Sequence, residues 1–411
     1  MNGFDLHILF LTDNFPPEVN APASRTFEHC REWAKAGHQV TVITCAPNFP
    51  TGKVFGGYRN RLWQSEKMAG IRVIRVWSFI TANEGFTRRV LDYQSYMLTA
   101  TLAALFVRSV DVIVGTSPQF FTVCAAWVVS MLKRVPWVFE LRDMWPESIK
   151  AVGAMKESAA IRALERLELL LYRKATRIVT VTHAFRTALM HRGIDGGKID
   201  VVTNGVDLSH FAPQPKDPAL LQTLALQGKF VAGYIGTHGM AHALETLLEA
   251  ALTLQQTPGA ENIHLVFLGD GARKTDIVAS AKAKGLRNVL FLDSVPKEQV
   301  VRYWSLLDVS VIHLRKTELF STVIPSKLFE CMGMGIPVLH GVAGESADIV
   351  RREQVGEVFE SENAQQLVAA LLRMRDEPAR YQAFRAHGLA AAQRYDRKNL
   401  AQDMLRVITA L

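Results

Sequence analysis

At 411 residues the chain is too long for one ordinary domain and suits two. Hydrophobic residues make up 49 % and charged residues 21 %, the balance of a well-cored globular protein and not of a disordered or fibrous one. The formal net charge of +8 is uneven: residues 1–207 hold 25 Lys/Arg against 18 Asp/Glu, and the rest is nearly balanced, so an anionic partner is expected in the first half.

Cys30, Cys45, Cys124 and Cys331 show no C-x-x-C spacing, which argues against a zinc site and a disulfide framework and fits a reducing cytoplasm. The first residues lack the basic start of a signal peptide. The apolar run Phe120–Leu132 is shorter than the roughly 20 residues a bilayer crossing needs, so a soluble or peripheral protein is expected.

In chain order, Leu6–Leu11 reads as a buried strand, followed by a loop over 12–24, a helix through Glu28 and Trp33, a stop at Gly37 and a strand over Gln39–Thr44. This βαβ order predicts a parallel sheet. Further strands are expected at Arg72–Val76, Val110–Val114, Trp137–Leu141 and Arg177–Val181, with a helix over Ala159–Ala175. Pro213–Pro218 reads as a linker. A second alternation follows, with strands at Phe230–Ile235, His264–Leu268, Val289–Leu292, Val309–His313 and Pro337–His340. The expected fold is therefore α/β, two Rossmann-like halves facing across a cleft, with ligands beyond the carboxyl ends of the strands. His7 and His313 lie within strand runs and are expected in the core.

Four post-strand or helix-start segments carry chemistry. Pro325 suits a helix start, and Lys327 and Glu330, three apart, share one side of the turn. Such an N-terminus holds a phosphate and a carboxylate takes two sugar hydroxyls, so the segment reads as a nucleotide-sugar pocket; a surface helix with an ordinary Lys/Glu pair is the plainer alternative. Gly333 and Gly335 are expected to end this helix. Gly269-Asp270-Gly271 follows a strand, where glycines let backbone approach a ligand, while Asp270 either serves that ligand or caps the next helix. Gly236-Thr237-His238-Gly239 follows a strand in the same way; neither loop has the nicotinamide or Walker pattern. Arg142-Asp143-Met144-Trp145-Pro146-Glu147 places two opposite charges after a strand, either as a loop-fixing pair or facing acceptor or phosphate. No metal-ligand spacing is present, so no protein-bound metal and no cofactor are expected. Residues 53–108 combine nine Lys/Arg and three Asp/Glu with interleaved aromatics, which suits an anionic membrane surface, single-stranded nucleic acid, or a solvated basic face.

Taken together these segments resemble a retaining family-4 glycosyltransferase of GT-B architecture. Val201–Asp207 with Phe211 resembles the hinge-side segment, Gly269-Asp270-Gly271 and Leu307-Asp308-Val309 the second-domain pattern, and Ser326–Glu330 the donor motif. Phe15-Pro16-Pro17-Glu18, Pro47–Lys53, Thr116-Ser117-Pro118 and Leu141–Glu147 are similar to a bacterial subgroup of O-antigen and capsule amino-sugar transferases, including N-acetyl-L-fucosamine transferases. The resemblance implies an acceptor-side domain at 1–207, a donor domain at 208–385 and a C-terminal helix at 386–411 crossing back to the first domain. It implies metal-independent transfer from a UDP-sugar to a lipid-linked saccharide of the undecaprenyl-pyrophosphate type, with retention, at the cytoplasmic face of the inner membrane and with no nucleic-acid partner. A UDP-sugar 2-epimerase of the same fold and a non-catalytic nucleotide-sugar or nucleic-acid binder are the rivals.

On this resemblance the donor is expected to meet Gly236, Thr237, Gly269, Asp270, Gly271, Thr322, Val323, Ile324, Pro325, Ser326, Lys327, Leu328 and Glu330. Glu330 would bind the ribose and Lys327 the pyrophosphate. Asn14, Glu18, Asn48, Ser117, Arg142 and Asp143 are expected on the acceptor side, with Asp143 orienting or deprotonating the acceptor hydroxyl. Three departures stand out. Thr322 stands where the family's first motif glutamate falls, Thr237 and His242 where its phosphate-gripping Arg and Lys fall, and Arg142 where many members carry a histidine. The weakly polar Ser321–Ile324 stretch suits a deoxy or N-acetylated sugar.

Overall fold

The computed structural model describes residues 5–49, 51–81, 86–144 and 159–411. The chain divides into two compact units, one holding the chain up to Asn204 with Arg397–Leu411, the other Gly205–Asp396.

In the first unit, eight strands run β1 (His7–Leu11), β2 (Gln39–Cys45), β3 (Trp63–Met68), β4 (Ile71–Val76), β5 (Val112–Thr116), β6 (Trp137–Leu141), β7 (Arg177–Thr180) and β8 (Ile199–Val201), in sheet order β3-β4-β2-β1-β5-β6-β7-β8. All pairs are parallel except β3 with β4. Every residue of β1, β5 and β6 is buried, as expected where helices cover both faces of a parallel sheet. β3 and the three-residue β8 are strands the sequence reading lacks. For β3 the reason is visible. Its Trp63–Met68 side chains alternate between exposed and half-buried, the pattern of an edge strand, and it joins β4 through Ala69 and Gly70, both at positive φ. His7 is buried, its Nε2 2.8 Å from the Thr41 hydroxyl.

In the second unit, β9 (Phe230–Ile235), β10 (Ile263–Leu268), β11 (Val289–Leu292), β12 (Val309–His313), β13 (Val338–Gly341) and β14 (Gly356–Val358) form a parallel sheet in order β11-β10-β9-β12-β13-β14. In both sheets the order reverses beside the first strand of the unit, at β1 and at β9, and ligands of such sheets bind at that reversal.

The division differs from the expected boundaries at 207/208 and 385/386. Val206 donates its N–H to Tyr395 O at 2.9 Å, which keeps both residues in the second unit, as is the helix Pro378–Ala392. The last helix, Arg397–Thr409, lies with the first unit, where Trp33 Nε1 donates to Ala401 O at 2.8 Å. Pro213–Pro218 is no interdomain linker. It lies inside the second unit, where Lys216 Nζ donates to Asp308 at 2.7 Å and Asp217 caps the helix Pro218–Thr223.

Candidate active site

The second unit gathers its chemistry at the carboxyl end of β9. Gly236, Gly269 and Gly271 all have strongly positive φ, and each lies against something a side chain would strike. A Cβ on Gly269 would come within 1.9 Å of Gly236 O, and one on Gly271 within 2.6 Å of His238 O. The loops after β9 and β10 thus pack backbone on backbone, which only glycine permits. A Cβ on Gly236 would lie 2.3 Å from Lys327 Nζ, so the Lys327 ammonium rests directly on the first loop. Its nitrogen also lies 6.0 Å from the centre of the Tyr234 ring, within cation–π range, and the Tyr234 hydroxyl donates to Thr237 O at 2.8 Å. Burial lowers the Lys327 pKa and the nearby Glu330 carboxylate opposes that shift.

Lys327 opens the helix Lys327–Met334, one residue after Ser326 and two after Pro325. Glu330 lies on its first turn, half-buried. Leu328 and Phe329 donate their N–H groups to Pro325 O and Ser326 O. Gly335, at φ 64, closes the helix, whereas Gly333 lies within it, where a Cβ would come 2.9 Å from Phe211 O.

Sequence-derived donor residues fall in two groups. Gly236, Gly269, Gly271 and Lys327 are brought into contact, directly or through one neighbour. Thr237 and Asp270 are exposed, and Asp270 accepts from Gly271 N at 2.7 Å; it does not cap the next helix, whose N-cap is Arg273. The Thr322 hydroxyl is spent on Leu319 O at 2.7 Å, and Val323 is half-buried. Ile324 and Leu328 point into the core at 3 % and 0 % exposure, so each offers a ligand only its backbone. The sequence reading missed Tyr234, His238 and Lys274. Lys274 Nζ donates to Gly269 O, Leu292 O and Asp293 and so anchors the carboxyl ends of β10 and β11. Position offered a signal in the histidine of the Gly236–Gly239 loop, but nothing local marks a lysine five residues beyond Gly269 as its partner.

His238 is fully buried, with neither ring nitrogen hydrogen-bonded, and His242 Nδ1 is likewise buried without a partner among the described residues. Burial, reinforced by Lys274 at His238 and by Lys327 at His242, pulls both rings down to about 4. An unfolded histidine titrates near 6.5. Their contribution to stability is therefore complete above pH 6.5 and is lost as pH falls towards 4, because the unfolded chain takes up the protons first. Melting curves from pH 7.5 to 4.5 are expected to show this loss for the wild type and a flatter profile for His238→Gln/His242→Gln. His313 is buried as expected, with Nδ1 2.8 Å from His242 O and Nε2 accepting from Glu362 N at 2.9 Å.

In the first unit the expected residues again lie after strands but form two sets. Glu18 is buried and its Oε1 accepts from Asn48 N and Phe49 N at 2.8 and 2.9 Å; burial raises its pKa against these bonds. That oxygen holds the loop after β2. Asn14 Oδ1 accepts from Asn20, and Asn48 Nδ2 donates to Ala46 O. The second set is Ser117, Arg142 and Asp143: Ser117 Oγ accepts from the backbone N–H of Arg142 at 2.8 Å and of Asp143 at 3.2 Å. The Arg142 guanidinium donates to Ala21 O and Pro22 O, so it secures the start of the helix Ala21–Lys35 instead of pairing with Asp143. Trp145, Pro146 and Glu147 of that motif, and Pro50 of the earlier one, lie outside the described residues.

Behind Arg142 sits a buried ionic group that sequence reasoning missed. Arg25 donates to Glu140 at 2.9 Å and to Val202 O and Thr203 O, and Arg397 pairs with Glu28. Each of its ion pairs joins residues more than a hundred apart in sequence, which hides it from any motif.

Two glycine-lined loops, a lysine resting on one of them and a carboxylate one turn away lie together at the reversal point of a parallel sheet, the place where such sheets bind ligands. Residues 20–205 match the family described as glycosyl transferase 4-like domain and residues 229–377 the glycosyl transferases group 1. Together these take in most of the chain, which belongs to the glycosyltransferases, and its two α/β units have the GT-B fold. It is 23 % identical over 80 % of its length to 82 % of WcaI of Escherichia coli (strain K12), a protein named for colanic acid biosynthesis. Its fold matches sucrose-phosphate synthase from Thermosynechococcus elongatus with a TM-score of 0.77 at 16 % identity, covering 98 % of both chains. It also matches Anabaena HepE, solved in complex with UDP and glucose, with a TM-score of 0.73 at 16 % identity over 98 % of this chain and 99 % of that one.

Proposed function

We propose that this glycosyltransferase moves a sugar from a UDP-sugar to a lipid-linked saccharide of the undecaprenyl-pyrophosphate type, with retained configuration and without a metal, in the building of a bacterial O-antigen or capsule. The carrying observation is the Lys327 ammonium seated on Gly236 with the Glu330 carboxylate one turn further on. Lys327 and the amides before it neutralise the pyrophosphate, and Glu330 takes the ribose hydroxyls. Preorganised donors stabilise the charge of the departing diphosphate. Asp143, held by Ser117 through its backbone, orients the acceptor hydroxyl. Thr237 and His242 stand where family members carry fixed cations, so Lys327 bears more of the phosphate charge here. HepE was solved in complex with UDP, and WcaI is named for colanic acid biosynthesis; both support this reading. The sugar favoured is an N-acetylated deoxy sugar such as N-acetyl-L-fucosamine, since Val323 and the engaged Thr322 hydroxyl offer a donor sugar little polarity.

We place the enzyme at the cytoplasmic face of the inner membrane, held by exposed cations that include Arg59, Arg61 and Arg88. Among the described residues no helix is long and apolar enough to cross a membrane, and no three His, Cys, Asp or Glu side chains group as a metal site.

Incubating the protein with UDP-sugars, alone and with a lipid-linked acceptor, tests the proposal. Transfer that needs the acceptor and survives EDTA is expected. A 2-epimer formed from UDP-N-acetylglucosamine alone would favour the epimerase, and strict loss on chelation, restored by magnesium or manganese, would contradict metal independence.

A further inference from the structure

The helix Phe86–Leu105 is apolar on two opposite faces. Tyr96, Ala100, Ala103 and Ala104 enter the core of the first unit, while Leu91, Leu98, Leu102 and Leu105 face outward at 50, 60, 60 and 42 % exposure. Spacings of seven, four and three align these leucines on one face of the helix. The stripe continues into Phe106, 76 % exposed, and into Met131 and Leu132 at the end of the helix Phe120–Lys133. Lys133 Nζ fixes the two helix ends side by side, donating to Leu105 O at 3.3 Å and Val107 O at 2.7 Å. From Tyr93 to Val107 the sequence carries no charge. Water-facing helices of soluble proteins bear polar residues on that side, and a contiguous apolar patch of this kind marks an interaction surface.

The rim says what covers it. Arg108 and Arg134 are exposed beside the patch, Lys133 is half-buried there, and Arg88 is exposed near its other end. The neighbouring Asp111 is already engaged, accepting from His7 N at 2.7 Å. A second copy docked face to face would bring these cations against their own equivalents, whereas an anionic bilayer meets both the leucines and the cations.

We propose that this face lies in the boundary between headgroups and acyl chains of an anionic membrane, with Leu98, Leu102 and Phe106 inserted and Arg108, Lys133 and Arg134 at the level of the lipid phosphates. The inference deepens the reading of the acceptor as lipid-linked. It also changes the expected salt response. Attraction of exposed cations is screened away by salt, but burial of leucine is not, so attachment persists where a purely basic surface lets go.

Sedimentation with vesicles of phosphatidylcholine, with and without phosphatidylglycerol, at about 0.1 M and about 1 M salt, tests this without nucleotide or acceptor. The wild type is expected to bind the anionic vesicles at low salt and to stay partly bound at high salt. Leu98→Glu/Leu102→Glu is expected to bind at least about 100-fold more weakly, the effect of withholding two leucines from the apolar phase, while keeping its turnover on a water-soluble acceptor. The four native cysteines are buried, so Leu102→Cys carrying an environment-sensitive dye reports insertion as a blue shift, which Val278→Cys in the second unit should not show. Equal binding by wild type and double variant, with complete release at high salt, would overturn the inference in favour of the basic surface alone. Dimerisation of the wild type, abolished in the double variant, with no vesicle binding by either, would overturn it in favour of a second copy. Loss of turnover on the soluble acceptor in both proteins would bear on the proposed transfer and leave vesicle partition to decide the surface.

Discussion

Glu330→Ala is expected to lower sugar transfer by about 100-fold or more while leaving the fold intact. The carboxylate sits on the first turn of the helix Lys327–Met334, half-buried, so its removal opens no core cavity. If it binds two ribose hydroxyls, it makes two charge-assisted hydrogen bonds, each worth about 1.5–3 kcal/mol, and about 1.4 kcal/mol is tenfold. Glu330→Gln keeps the shape and loses the charge, and is expected to fall between. Steady-state turnover with the melting temperature measured alongside separates the two effects. Normal turnover in Glu330→Ala would remove this residue from the site.

Arg25→Met is expected to destabilise the first unit by about 3–5 kcal/mol, the cost of leaving one charge of a buried pair alone. Arg25 and Glu140 are each 1 % exposed and 2.9 Å apart. Burial by itself would raise the Glu140 carboxyl, but Arg25 and then Arg142 outweigh it and hold the pKa below the usual carboxylate value. The stabilisation from Glu140 is thus present above the ordinary carboxylate range and is lost as pH falls through the lowered folded value. Arg25→Met/Glu140→Leu should recover much of the loss, because an apolar pair of similar volume often replaces a buried ion pair without cost. Calorimetry on the three proteins at neutral pH measures this. A single variant within about 1 kcal/mol of wild type would show that the pair is not what holds β6 to the helix Ala21–Lys35.

Short apolar runs made the parallel strands legible: Phe230–Ile235, Val289–Leu292 and Val309–His313 fall where the sequence puts them. β3 escaped because an edge strand alternates and Trp63–Met68 is polar at most positions. β14, three residues long, carries too little pattern to see. In the site, Gly236, Gly269 and Lys327 were legible because glycine after a strand and a charge on a first turn are local signals. The contact of Lys327 with Gly236 was not, since it joins positions 91 residues apart. Ile324 and Leu328 show the limit of a motif: both fall within the expected donor segment, yet their side chains are buried, Leu328 on the core-facing side of the helix Lys327–Met334 and Ile324 just before it. The Arg25–Glu140 pair spans 115 residues and depends wholly on the fold.

The central claim is that the start of the helix Lys327–Met334 binds a nucleoside diphosphate through Lys327 and Glu330. A thermal-shift panel of UDP, GDP, dTDP and ADP on wild type and Glu330→Ala tests it most directly. UDP is predicted to stabilise the wild type, by about 2.7 kcal/mol at a hundred times its dissociation constant, and to leave Glu330→Ala almost unshifted at the same concentration. No shift with any of the four nucleotides, or an equal shift in both proteins, would contradict it.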